Sequence, residues 1–157
     1  MSESGGMDKN SAAGRAIEAL RTDNPEEAAK ALLEALREDP ERIDLMHALA
    51  VTQIRRGHPR DALAITIQGE ELARAQGDQT AAMMLPQFLL TRAAAFEDLY
   101  DPDGAKQSFL GILEHEPQNP RARQGLGHLL LGWGQTQAGL KHLQTYLADA
   151  QDEPDFL

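Results

Sequence analysis

Residues 120–154 read PRARQGLGHLLLGWGQTQAGLKHLQTYLADAQDEP, and the prolines at the two ends lie 34 residues apart. An interval of the same length that starts at residue 86 has Ala105 at its twentieth position and Pro117 at its thirty-second. One that starts at residue 9 has Ala28 and Pro40 at those positions. A period near 34, with a small residue and a helix-ending proline in register, predicts a stack of helical hairpins.

The composition supports an all-α protein and excludes several classes of partner. Aromatic residues make up 4% of the 157 residues, which argues against β-sheets. A net charge of -10 would repel nucleic acid and anionic membrane surfaces. No apolar run reaches the roughly 20 residues of a membrane helix, the N-terminus has no signal-peptide pattern, and cysteine is absent. We therefore expect a cytoplasmic protein that does not bind nucleic acid or membranes.

Turn signals divide the chain into four hairpin units of nearly constant length. Pro25 is suited to the first position of a helix, and Gly57 to the end of another. We expect a disordered tail over 1–8, a repeat domain over 9–153 with units 9–42, 43–85, 86–119 and 120–153, and a short tail over 154–157. The second unit is longer than the others, so a helix or a loop must be extended there. The first helix of the third unit either begins near Thr80 with Pro86 inside it or begins at Pro86 itself.

At these residues the chain resembles the tetratricopeptide repeat (TPR) family. That family favours small residues at positions eight and twenty of each unit and bulky residues at position twenty-four. Position eight holds Ala16, Ala50, Ala93 and Gly127, position twenty holds Ala28, Ala62, Ala105 and Gly139, and position twenty-four holds Leu32, Thr66, Phe109 and Leu143. The family also favours a bulky residue at position seven and a small one at position twenty-seven. Arg15 and Arg92 at position seven, Thr66 at position twenty-four, and Tyr146 at position twenty-seven depart from the pattern. The resemblance implies a right-handed superhelical stack of about four TPR hairpins.

In TPR arrays the first helix of each unit lines a concave groove through positions five, nine and twelve. Carried over, these positions are Ala13, Ile17, Leu20, His47, Val51, Ile54, Leu90, Ala94, Glu97, Gln124, His128 and Leu131, which we call the binding row. The row is mostly apolar, which suits a hydrophobic helix or extended peptide of a partner protein. The alternative is that some of these residues belong to the core between helices. The Lys, Arg and Asn residues of the TPR clamp for acidic peptide ends are missing.

No constellation of residues indicates catalysis, a cofactor or a metal site. Asp101–Gly104 is similar to part of a calcium loop, but the first and twelfth ligand positions would be Leu99 and Leu110. The five histidines lack the spacing of metal ligands, and no nucleophile, base and orienting group can be assembled. We expect no enzymatic activity.

These observations favour an adaptor that holds an apolar segment of another protein. One alternative is a dedicated bacterial secretion or pilus-assembly chaperone of TPR type, since the size, the acidic charge and the repeat type match. Further alternatives are a self-assembling TPR scaffold and a regulatory domain of an enzyme.

The last helix carries more apolar residues than its neighbouring helix is expected to cover. Either the C-terminal residues fold back over it or a second subunit packs there as a symmetric homodimer. The residues involved are Leu140, Leu143, Tyr146, Leu147, Phe156 and Leu157.

Overall fold

A computed structural model describes Asp8 and residues 10–151, apart from the side chains of Thr136, Leu147 and residues 149–151. The described residues form eight α-helices and no strand. The helices are α1 (Ala12–Arg21), α2 (Pro25–Glu38), α3 (Ile43–Arg55), α4 (Pro59–Gln76), α5 (Gln79–Asp98), α6 (Pro102–His115), α7 (Pro120–Gly132) and α8 (Thr136–Gln151). Successive helices form the hairpins α1–α2, α3–α4, α5–α6 and α7–α8, so the prediction of an all-α stack of helical repeats is confirmed. The predicted tails over 1–8 and 154–157 lie almost entirely outside the described residues.

Most helices begin where the sequence supplies a cap or a proline. The first residue of α2, α4, α6 and α7 is a proline, whose missing N–H is not needed in the first turn. Side chains of the residues before the helices accept hydrogen bonds from first-turn backbone N–H groups, as Ser11 does from Gly14 and Asn24 from Glu26 and Glu27. These caps satisfy donors that have no partner inside the helix.

The extra residues of the second predicted unit lengthen two helices instead of a loop. The helix α4 has 18 residues and α5 has 20, with only Gly77 and Asp78 between them. Gly77 has φ 63, which ends α4 in the left-handed region, and the Asp78 carboxylate then accepts the N–H of Ala81. The helix α5 therefore begins before Pro86 and contains it, which decides between the two alternatives left by the sequence.

The chain forms two compact units, one up to Phe88 and one from Leu89, and the boundary falls within α5. The core of the first compact unit contains Leu32, Leu45 and Leu49, with a second cluster around Ile43 and Phe88. The core of the second consists of Leu89, Ala93, Ala105, Phe109, Ile112, Ala122, Leu126 and Leu130.

The small residues predicted at positions eight and twenty are buried in all four hairpins. Ala16, Ala50, Ala62, Ala93 and Ala105 have no exposed surface, and Gly127 and Gly139 are buried as well. Small side chains at these positions let the two helices of a hairpin approach closely. The repeat register derived from the sequence therefore agrees with the packing.

Glycines also make room for three phenylalanine rings. A Cβ atom on Gly69 would collide with the ring of Phe88, and one on Gly125 would collide with the ring of Phe109. Gly104 stands in the same relation to the ring of Phe96. Each ring thus occupies the space that the side chain of any residue larger than glycine would need on the facing helix.

Candidate partner-binding surface

In the first compact unit, the binding row lies on α1 and α3. Its members are Ala13, Ile17 and Leu20 on α1, and His47, Val51 and Ile54 on α3. None of these six side chains is fully buried, and Val51 is 38% exposed. Ala13 and Leu20 also pack partly against the core of this unit, so these two residues serve the fold as well.

The α3 part of the row follows from helical spacing. His47, Val51 and Ile54 are spaced i, i+4 and i+7, which places them on one face of the helix. The residues on the other side of α3, Leu45 and Leu49, are buried in the core. A helix that is apolar on both sides presents more apolar surface than its own hairpin covers.

His47 contributes an uncharged aromatic edge to this row. Its ring meets the ring of Phe88 edge to face, with 5.5 Å between the centroids. Burial lowers the pKa of His47, and a hydrogen bond with the backbone of Gln87 opposes that shift more weakly. His47 is therefore neutral at pH 7.

The arginines at the end of α3 are neutralised by the first hairpin. Arg55 forms an ion pair with Asp23 at 2.9 Å, and Arg56 forms one with Glu26 at 2.7 Å. Arg56 binds Glu26 through two nitrogens, so the pair is bidentate. These contacts hold the α1–α2 turn beside the end of α3. They also mean that the arginines next to the apolar residues of α3 are already paired with carboxylates.

In the second compact unit, the row is more polar. It consists of Leu90, Ala94 and Glu97 on α5, and Gln124, His128 and Leu131 on α7. Glu97, Gln124 and His128 are exposed. Although Glu97 is exposed, partial burial of its carboxyl group raises its pKa, and the charge of the adjacent Asp98 raises it further. An apolar partner segment would therefore gain less binding free energy from these six residues than from the six on α1 and α3.

The residues considered for self-association have different environments. Leu140 is 40% exposed on α8, whereas Leu143 points toward α7, where its Cγ atom would lie 2.7 Å from a Cβ on Gly127. Tyr146 is half-buried. The side chain of Leu147 and all of Phe156 and Leu157 lie outside the described residues. The dimer therefore remains a prediction.

Among the described residues, no three His, Asp or Glu side chains are grouped so that they could hold a metal ion. In the same part of the chain, no helix is both long and apolar enough to cross a membrane.

Sequence reasoning missed Tyr100, which is 93% exposed in the turn between α5 and α6. Its φ is 56, in the left-handed region. The corresponding turns of the second and fourth hairpins have Gly57 and Gly134, both with φ 74. Aligning position fifteen of the repeats would have drawn attention to Tyr100, because the second and fourth hairpins have glycine there and the first has Asp23.

The hairpins and their small-residue contacts define a helical repeat protein that presents surfaces to other proteins. A family model described as tetratricopeptide repeat matches residues 98–157. The match covers α6, α7 and α8, so these helices have the sequence character of tetratricopeptide repeats, and the earlier helices share the hairpin architecture. Tetratricopeptide repeats typically serve as modules for protein interaction.

Solved structures of MamA are similar in fold. The structure described as MamA MSR-1 C2 has a TM-score of 0.71 at 16% identity and covers 90% of this chain and 77% of that one. A mutant of MamA has a TM-score of 0.67 at 17% identity, covering 87% and 74%. At these identities the likeness shows the fold alone. A search of curated proteins finds no match.

Proposed function

We propose that this protein is an adaptor that holds an apolar peptide or helix of a partner protein against the binding row of α1 and α3. The observation that carries the proposal is the accessibility of apolar side chains at regular spacing. Val51 is exposed and Ile17 and Ile54 are partly exposed, although Ala16 and Ala50 beside them are completely buried. Removing such apolar surface from water contributes roughly 25 cal/mol per Å² to the driving force, which must exceed the entropy cost of association.

The electrostatics of this row suit an uncharged segment. His47 is neutral at pH 7, and Arg55 and Arg56 are already paired with carboxylates of the first hairpin. An apolar partner segment would therefore not bury an unpaired charge, which would otherwise oppose binding. An acidic segment, by contrast, would find no unpaired arginine at the end of α3.

Site-specific photo-crosslinking in cells of the native host tests the proposal. A photoreactive phenylalanine analogue at Val51 should form a covalent adduct with one partner protein, identified by mass spectrometry. Ile67 on α4 is the matched control, since it is also apolar and is 48% exposed. The same analogue at Ile67 should not form that adduct. Equal adducts from both positions would mean that the binding row is not the contact surface.

A double variant separates binding from folding. Val51→Glu with Ile54→Lys should abolish binding of the partner found by crosslinking and leave the helical circular dichroism signal nearly unchanged. Ile67→Glu should leave both unchanged. If the double variant lost its helicity together with binding, these residues would be core residues and the proposed surface would be wrong.

A further inference from the structure

The backbone of Tyr100 has a conformation that is unfavourable for tyrosine. Its left-handed φ of 56 is one that glycine adopts without strain, and the equivalent turns of the second and fourth hairpins have Gly57 and Gly134. Two backbone hydrogen bonds that end α5, from Tyr100 N–H to the oxygen of Glu97 and from Asp101 N–H to the oxygen of Phe96, hold this conformation. The side chain, in contrast, is 93% exposed. The backbone conformation thus has a cause within the fold, and the feature that the fold does not use is the exposed aromatic ring.

Four carboxylates lie within three residues of Tyr100 along the chain. Glu97, Asp98, Asp101 and Asp103 are exposed, and we call residues 97–103 the acidic loop. None of the four forms an ion pair within the described part of the chain. Asp101 caps α6 by accepting the N–H of Gly104, which still leaves its charge uncompensated. The loop thus combines an accessible aromatic ring with unpaired negative charge.

The α7–α8 hairpin carries the opposite charge. Residues 117–148 contain Arg121, Arg123 and Lys141 but no Asp or Glu, in a chain of net charge -10, and the first acidic residue after them is Asp149 near the end of α8. We call this segment the cationic hairpin. Arg121 and Lys141 are exposed and form no ion pair in the described structure, whereas Arg123 donates to the carbonyl oxygen of Pro117. Leu140, beside Lys141, is 40% exposed.

We propose that the acidic loop binds the cationic hairpin of a second copy of this chain. The chain itself supplies both complementary surfaces, and both lie in the second compact unit. Two copies related by a two-fold axis would therefore form the contact twice. A dimer that placed the two cationic hairpins against each other would instead bring like charges together. At about 0.15 M salt the Debye length is ~8 Å, so contacts at a few Å persist while long-range repulsion between the acidic chains is screened.

Tyr100 has a direct role in this contact. Its exposed ring can accept the cation of an arginine or lysine over its face, and the surrounding carboxylates can pair with the same group. A glycine at this position would relieve the backbone strain and remove the ring. Tyr100→Gly should therefore weaken association about tenfold and leave the helical content unchanged.

Charge reversal with sedimentation velocity at micromolar protein concentration tests the proposal. The wild-type chain should sediment as a dimer in equilibrium with monomer. A loop variant, Asp98→Lys with Asp103→Lys, and a hairpin variant, Arg121→Glu with Lys141→Glu, should each be monomeric. An equimolar mixture of the two variants should form a heterodimer, because both contacts then join opposite charges again.

Matched controls separate this contact from net charge and from folding. Glu38→Lys with Glu71→Lys changes the net charge as the loop variant does, at exposed positions of α2 and α4, and should leave the wild-type dimer unchanged. Circular dichroism melts verify that each variant is folded. A wild-type chain that sediments as a monomer overturns the proposal. The acidic loop would then be a candidate surface for a basic partner protein instead. A mixture of folded variants that stays monomeric overturns it as well.

Discussion

The backbones of Gly127 and Gly139 almost touch where α7 crosses α8. A Cβ atom on Gly139 would lie 2.9 Å from the carbonyl oxygen of Gly127, and a Cβ on Gly127 would lie 3.2 Å from the carbonyl oxygen of Gly139. No flexible side chain separates them, so a larger residue could be accommodated only by moving a helix. The two glycines thus set the distance between the helices of the fourth hairpin.

Gly139→Ala should destabilise the fourth hairpin. The added methyl group would force α7 and α8 apart and cost about 1–3 kcal/mol. Denaturant unfolding followed by circular dichroism measures this. Gly132→Ala is the control, since a Cβ there meets nothing within 4 Å. Equal unfolding midpoints for Gly139→Ala and the wild-type chain would contradict the close crossing.

Ala62→Leu and Ala105→Leu should each overpack a hairpin. Both alanines are completely buried, so the larger side chain has no free space and should cost about 1–3 kcal/mol. Thermal melts should show lower midpoints for both variants. Ala64→Leu, at an exposed position of the same helix as Ala62, should leave the midpoint nearly unchanged. Unchanged midpoints for both buried positions would argue against the repeat register.

Tyr100→Gly should make the monomer more stable. Relief of the left-handed strain should contribute about 1 kcal/mol, seen as a higher melting midpoint. Tyr100→Ala is the matched control, because alanine removes the ring and keeps the strain. If alanine raised the midpoint as much as glycine, the exposed ring would be the cause of the destabilisation, not the backbone.

The stability of the first compact unit should fall in mild acid because of His47. Burial holds its pKa in the folded state below the value of about 6.5 expected in the unfolded chain. The unfolded chain therefore takes up the proton first as the pH falls. The contribution of neutral His47 is complete above about pH 6.5 and is lost as the pH falls through the lowered pKa. Melts between pH 8 and pH 5 should show a smaller decrease for His47→Gln than for the wild-type chain.

The hairpins were predictable because their signals are local. Prolines such as Pro25 fix the starts of helices, and small residues such as Ala62 mark where helices touch. The start of α5 was not predictable, because Pro86 resembles a helix start as much as an interior residue. The signal that decides it is Asp78, whose side chain caps the first turn.

The candidate surface was only partly predictable, for a physical reason. Helical spacing places Val51 and Ile54 on one face, but spacing alone does not say how much of that face a neighbouring helix covers. The glycines at the same repeat position, Gly57 and Gly134, signal the left-handed backbone of Tyr100. No pattern in the sequence signals how far its ring is exposed.

The fit of the Phe88 ring over Gly69 has a consequence for sequence variation. Since a methyl group at position 69 would overlap that ring, neither position can change freely while the other stays the same. In homologous chains, a larger residue at position 69 should be accompanied by a smaller one at position 88. The two positions, nineteen residues apart in the chain, should therefore evolve as a pair.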